Sequence, residues 1–495
     1  MNSKKIVLIV VGLAFLVAGG LWLLVKQQPV SREREITLRT ESFALNLYPP
    51  LLAEINSRSI STLLHAPLIR MGGDGQLTPE VASEWSDDGL TWRFTIRPGA
   101  KFSDGSKLTA EDAAASICRT MQPGTSWAWS LGSIAQSADG DKVECDGVTF
   151  AGNELVIRQT YDAPWLAEAL SGPAGWIIPK TVNAEASYGV VPGAGRYKVE
   201  QIVPDSFVLL SPVDSESGLA SVRFRYVADD NQAAALMKNE KLSVLYLQSP
   251  LLKMAVKSSK GQNFELKSRA FDRVRILVIN EASLRKKGFS EQQIKTFRDA
   301  LDTKIDRDRL EEISDGIAIA DSHPLPVFGQ LVRSSPSLLD IESLPDVKLT
   351  VFSEPDAFSD QIAATLPKSV GPVKLAYRGM DKGSFIGALV GGDFDIACVI
   401  LEATMHSPKF WASFFEPNGA FVAFGKPING TESIDFTKAE AVYQLDALLQ
   451  RDSNWIQLFR ENRVDAIGNS ITGLMFSPSG QVDFGAVKLD TAADR

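Results

Sequence analysis

Residues 84–112 read Glu-Trp-Ser-Asp-Asp-Gly-Leu-Thr-Trp-Arg-Phe-Thr-Ile-Arg-Pro-Gly-Ala-Lys-Phe-Ser-Asp-Gly-Ser-Lys-Leu-Thr-Ala-Glu-Asp. Trp92, Phe94 and Ile96 alternate with Thr91, Arg93, Thr95 and Arg97, the period of a half-buried strand. Pro98-Gly99 ends that strand, and Asp104-Gly105 offers a turn where a positive φ costs little. Thr109 stands three residues before Asp112, so side chain and backbone can cap each other at the start of an Ala-rich helix. The stretch reads as strand, turn, helix.

Outward from this stretch the chain is a mixed α/β protein. Val274–Asn280 and Val347–Phe352 have strand patterns separated by helical ones. Ser290 and Gln293 form a capping box, and Ile294, Phe297, Leu301 and Ile305 follow at helical spacing toward a core. In Asp395–Leu401 every residue after the aspartate is apolar, as in a strand covered on both faces. At 495 residues the chain exceeds what one hydrophobic core serves, so several subdomains are expected.

Composition narrows the function. A net charge of −9 without a basic stripe argues against a nucleic-acid partner. With three cysteines the chain is no disulfide scaffold, and it has no CxxC or HExxH. His65, His323 and His406 are scattered, so neither a metal site nor a cofactor is expected. No Ser/His/Asp or Cys/His pattern has a local catalytic signature, and the chain is not expected to be an enzyme.

Ile6–Val25 is an uncharged, apolar run of 20 residues preceded by Lys4 and Lys5. As a helix it rises about 30 Å, enough to cross the hydrocarbon core. Cleavage at Ala18-Gly19-Gly20 would leave Leu21-Trp22-Leu23-Leu24-Val25 at the new end, so an uncleaved anchor is favoured over a cleaved signal. Lys4 and Lys5 hold the start in the cytoplasm, and the remainder is exported. The expected location is the outer face of the inner membrane, with a soluble periplasmic product as second choice.

The wording of 84–112 resembles the signature of the extracytoplasmic solute-binding proteins of the oligopeptide/dipeptide/nickel family (family 5), which serve ABC importers. Leu45-Asn46-Leu47-Tyr48-Pro49 resembles the family's early "LDP" segment, with Tyr48 where Asp is usual. Gly193-Ala194-Gly195-Arg196-Tyr197-Lys198 resembles "GTGPYK", and Arg298-Asp299-Ala300-Leu301 with Ile305-Asp306-Arg307-Asp308 resembles "RxALxxAIDRD". Gly392-Asp393-Phe394-Asp395 resembles "gdyD"; Gly473-Leu474-Met475-Phe476-Ser477-Pro478 and Asp483-Phe484 resemble the closing segment.

The resemblance implies an α/β, two-lobe periplasmic-binding-protein type II fold with an additional inserted subdomain, and the apolar run Ile6–Val25 adds an N-terminal transmembrane helix before it. Residues 1–26 would be the signal anchor and 27–35 a linker. Lobe I would comprise 36–72, 190–268 and 470–495, the inserted subdomain 73–189, and lobe II 269–469. The chain would cross between lobes near Arg269–Arg273 and again near Gly468–Gly473. The implied partners are a small or peptide-like solute, an ABC permease, and the membrane through the N-terminal helix.

The resemblance also implies a ligand wall after the lobe II strand, in the pattern "DlalxgWgaDypDP". In Asp395–Pro408 the tryptophan position is Leu401, the first aspartate position Thr404 and the second Ser407. That first aspartate meets a peptide's α-ammonium in relatives, and a buried ammonium needs such a partner. Thr404 has only a hydroxyl. Weak binding of free-amine peptides is therefore expected, with neutral, N-blocked or sugar-like solutes preferred. Thr404→Asp is expected to improve free-amine binding. Glu402 reads as a solvated strand-end carboxylate, with a ligand role as the alternative; His406 adjoins the wall. In lobe I, Glu54 and Ile55 align with a ligand-contacting segment or simply lead into the Ser57–Leu64 helix.

Cys118 and Cys145 both fall in the inserted subdomain and are candidates for a disulfide after export, against the alternative of three buried thiols with Cys398. The leading function is a membrane-tethered solute-binding component of an ABC importer. The alternative is a non-transport sensing or interaction protein that kept the scaffold and lost peptide-amine recognition.

Overall fold

The computed structural model describes residues 35–495 apart from 42, 44, 53–54, 72–75, 141, 164, 183–186, 216, 218, 259–262, 322–338, 354–356, 403–406, 416–424, 426, 437, 439, 477–481, 484–486 and 490–495. The expected anchor lies outside the described residues. Among the described residues no helix is long and apolar enough to cross a membrane.

In chain order, β1 (Glu35–Thr40) and α1 (Ile55–Leu64) come first. β2 (Ala82–Asp87), β3 (Thr91–Ile96), α2 (Ala110–Thr120), β4 (Val148–Ala151) and β5 (Glu154–Arg158) form the inserted unit. β6 (Tyr197–Val203), β7 (Phe207–Pro212), β8 (Ser221–Tyr226), β9 (Val244–Tyr246) and β10 (Phe264–Ile279) follow. The second lobe holds α3 (Glu291–Thr303), β11 (Lys348–Ser353), β12 (Val373–Gly379), β13 (Ile396–Glu402), α4 (Pro408–Ser413) and α5 (Ala441–Asp452), before β14 (Trp455–Gly468). The principal sheet runs β6-β7-β8-β1-β9-β14-β10-β13-β11-β12, with the short strand Ser369–Val370 beyond β12 and Ala318–Ala320 paired to β14, and the inserted unit has its own sheet, β2-β3-β5-β4.

Local chemistry explains the 84–112 segment. Trp92, Phe94 and Ile96 of β3 are buried while Arg93 between them is exposed. Asp104 accepts from the Ser106 N–H at 2.9 Å across a turn in which Gly105 has φ 85°. The Thr109 N–H donates to Asp112 Oδ2 at 2.9 Å and the Asp112 N–H to Thr109 Oγ1 at 3.3 Å, closing the capping box of α2. Ser290 and Gln293 do the same for α3. Cys118 of α2 is disulfide-bonded to Cys145, 27 residues on, with Cα atoms 5.6 Å apart, and Cys398 is free and buried. Closing a loop of that length stabilises the fold by about 3–4 kcal/mol in the loop-entropy account.

Residues that carried the family resemblance turn out to hold the framework. Asp395 accepts from Ser283 Oγ at 2.7 Å, Lys287 Nζ at 2.7 Å and the Thr350 N–H at 2.8 Å, fastening a helix to the sheet. Burial works against its charge, but those donors win and hold its pKa below the usual carboxylate value. Arg298 donates to the carbonyls of Gln450, Arg451 and Ser453, capping the C-terminal end of α5. A Cβ on Gly193 would stand 1.9 Å from the Leu64 carbonyl oxygen, and one on Gly195 2.3 Å from that of Leu63. Both positions need glycine because the chain presses on the end of α1.

Two strands join the lobes. β10 and β14 pair antiparallel from Phe264↔Gly468 to Val278↔Trp455. At one end β14 pairs with β9 (Tyr246↔Asp465); at the other β10 pairs with β13 (Arg273↔Glu402). The ladder shifts register between Ala270 and Val274, the local bend that a bulge produces. β10 runs unbroken through Arg269–Arg273. β14 runs unbroken from Trp455 to Gly468, pairing with β10 along its length and with β9 at Asp465–Ile467.

Candidate functional site at the lobe crossing

The crossing strands carry charges where a buried sheet ordinarily carries apolar residues. Glu461 of β14 is 1% exposed and meets Arg273 at 3.1 Å and Arg275 at 3.4 Å, both from β10. Arg275 also donates to Ser359 Oγ at 3.0 Å, and Arg273 to Tyr246 Oη at 2.7 Å. Arg463 lies over the Tyr246 ring at 4.5 Å and donates to Asp465, which is fully buried and also receives Arg269. The Arg269 guanidinium covers the Phe476 ring at 3.3 Å.

Glu402, the last residue of β13, completes the cluster. Its Oε1 accepts from Arg58 Nη2 at 3.1 Å, and the two side chains are 10% and 8% exposed. Arg58 stands on α1 in the first lobe, so this ion pair spans the two lobes. Burial pushes the Glu402 carboxyl up, opposed by Arg58, Arg273 and Arg463. Burial also works against the Arg273 charge, but Glu461, Tyr246 and Glu402 overcome it and hold its pKa above the ordinary value. The reading of Glu402 as a solvated carboxylate is overturned. Arg58 arrives from 344 positions away and buries it.

The inserted unit touches the second lobe beside this pair. The Ser407 N–H donates to Glu168 Oε2 at 3.2 Å at the start of α4. Trp129 and Phe410 have ring centroids 5.6 Å apart, and Trp165 meets Phe436 edge-on at 6.2 Å. Lys409 Nζ lies 5.7 Å from the Trp165 ring and 5.4 Å from the Phe436 ring.

Of the residues expected to meet ligand, Leu401 is partly buried and packs on the apolar core shared by the inserted unit and second lobe. Ile55 opens α1. Glu54, Thr404 and His406 lie outside the described residues. Sequence reasoning missed Arg58, Tyr246, Arg273, Glu461, Arg463 and Asp465. The available signal was the run Arg460-Glu461-Asn462-Arg463-Val464-Asp465 inside a strand otherwise apolar at both ends. Among the described residues no three His, Cys, Asp or Glu side chains gather as metal ligands. A surface cavity of about 480 Å³ lined by Glu281, Lys295, Arg298 and Asn454 adjoins Ile279, at the far end of β10 from the crossing.

Comparison with known proteins agrees with this geometry. Residues 76–330 match the family model described as bacterial extracellular solute-binding proteins, family 5 Middle. The nickel-binding periplasmic protein of Escherichia coli is 24% identical over 45% of this chain and 44% of its own length, so that match spans under half of the relative. The dipeptide-binding protein DppE of Bacillus subtilis is 20% identical over 92% of this chain and 91% of its own. The structure of the E. coli murein tripeptide-binding protein MppA superposes with TM-score 0.77 at 16% identity, covering 93% of this chain and 99% of that one.

Proposed function

Because the chain belongs to the bacterial extracellular solute-binding proteins of family 5, the solute-binding components of ABC importers, we propose that it captures a small peptide-like solute between its lobes while tethered to the membrane. The observation that carries this reading is the charged crossing. Among the described residues two strands link the halves of the principal sheet, their ladder shifts register at Ala270/Val274 and again at Arg275/Ile276, and their buried charges lie beside the ion pair that spans the lobes. Closure there favours whatever binds the closed state more tightly than the open one. Glu54 and Ile55 from one lobe, and Leu401, Thr404 and His406 from the other, are assigned to the wall around the solute. The solute goes to a permease, and no chemistry is done on it.

Native mass spectrometry of protein purified without refolding tests the capture. A co-purified solute of a few hundred daltons is expected; an empty chain that also binds nothing from a peptide and sugar library would contradict it. The tether has its own test. Full-length protein is expected to sediment with membranes and resist carbonate extraction, since about 20 apolar residues span the core. A soluble mature chain beginning near Leu21 would contradict it.

A further inference from the structure

We propose that Arg58 is a built-in stand-in for a ligand's cationic group: its guanidinium fills the cation site that Glu402 offers across the lobes, so the cleft selects solutes lacking a free ammonium. The inference rests on the reading of the chain as a solute-capturing protein and names the class of solute. Glu402 ends β13, with Arg273 opposite it on β10 and Arg58 reaching it from α1 of the other lobe. Both side chains are at least nine-tenths buried. Arg58 Nη2 takes Glu402 Oε1, while Arg58 Nε and Glu402 Oε2 stay buried without a hydrogen-bond partner.

A buried carboxylate at the meeting of two lobes must be matched by a cation. In this chain the protein supplies it. A solute's ammonium would have to displace a guanidinium held nearby at an effective concentration on the order of millimolar or more. It would also leave that guanidinium buried and unpaired. A neutral or N-blocked solute displaces nothing. The same pair draws the lobes together before any solute arrives, because Arg58 reaches this carboxylate only across the lobes, whereas Arg273 and Arg463 act on it from the crossing strands.

Calorimetry with trialanine and N-acetyl-trialanine separates the possibilities. The wild type is expected to gain nothing from the free amine. Arg58→Gln exposes the Glu402 site, and trialanine should then bind about tenfold or more tighter than its acetylated form. The gain should vanish in Arg58→Gln/Glu402→Gln and be absent in Arg58→Lys, which keeps the cation. An Arg58→Gln protein that treats the two peptides alike, or a gain that survives loss of Glu402, would overturn the proposal. Small-angle scattering of ligand-free protein gives a second readout that needs no peptide. Glu402→Gln and Arg58→Gln should each expand the particle relative to wild type, and unchanged dimensions in both would overturn the internal closure. Failure of solute capture itself shows separately, as a wild type that carries no co-purified solute.

Discussion

Glu461→Gln is expected to destabilise the protein by about 3–5 kcal/mol, the cost of breaking a buried ion pair from one side. The substitution keeps the side chain's size, so it leaves no cavity, but it turns one of two acceptor oxygens into a donor that faces a guanidinium. It removes the negative charge that Arg273 and Arg275 share at 3.1 and 3.4 Å. Arg273 and Arg275 are nearly fully buried themselves, so neither can turn to water without opening the crossing strands. Urea unfolding followed by tryptophan fluorescence measures the loss. A change under about 1 kcal/mol, the worth of an exposed pair, would mean that water reaches the crossing.

The second large effect is a dependence on pH set by His65. The ring is 1% exposed and stacks on Trp176, with centroids 5.6 Å apart and planes 27° apart. Burial lowers its pKa to about 4, against a smaller opposing effect of a backbone hydrogen bond with Leu47. In the unfolded chain the imidazole titrates near its ordinary value, about 6.5. Between those values the unfolded state binds more protons, so stability rises with pH. The full contribution is present above about pH 6.5 and is lost as pH falls through about 4. The shift corresponds to about 3 kcal/mol in total. Carboxylates titrate in the same range, so the comparison must be with a variant. His65→Gln is expected to lose about 2 kcal/mol less than wild type between pH 7.5 and 5. Equal losses in the two proteins would show that the ring protonates freely in the folded state.

The sequence was legible where its chemistry is local. Strand, turn and capping box within 84–112 each depend on residues a few positions apart, and each formed as the pattern dictates. The glycines of 193–195 were visible, but their cause, the backbone of Leu63 and Leu64 against them, was not. The charged crossing was hidden for a different reason. Charges inside Arg460–Asp465 carry no sign of their role, because a single strand does not show which partners will neutralise it. Glu461 finds them 186 positions away, and Glu402 finds Arg58 at 344. The near half of β10, Phe264–Arg273, mixes charged and apolar residues and lacks the apolar run of Ile276–Ile279. One 16-residue strand therefore appeared as only its second half. Family resemblance supplied the lobes, but it pointed to Thr404 as the altered position and gave no hint of Arg58.

The central claim is that the lobes move about β10 and β14 and close on a solute. Spin labels belong on exposed Lys198 of β6 and exposed Lys374 of β12, near opposite ends of the principal sheet. Pulsed dipolar spectroscopy on this pair measures the separation of the lobes directly. The Glu402→Gln variant, with the pair broken, is expected to give a broad or longer distance distribution that returns to one short, narrow distance when the co-purified solute is added back. A distribution indifferent both to Glu402→Gln and to the solute would contradict the account.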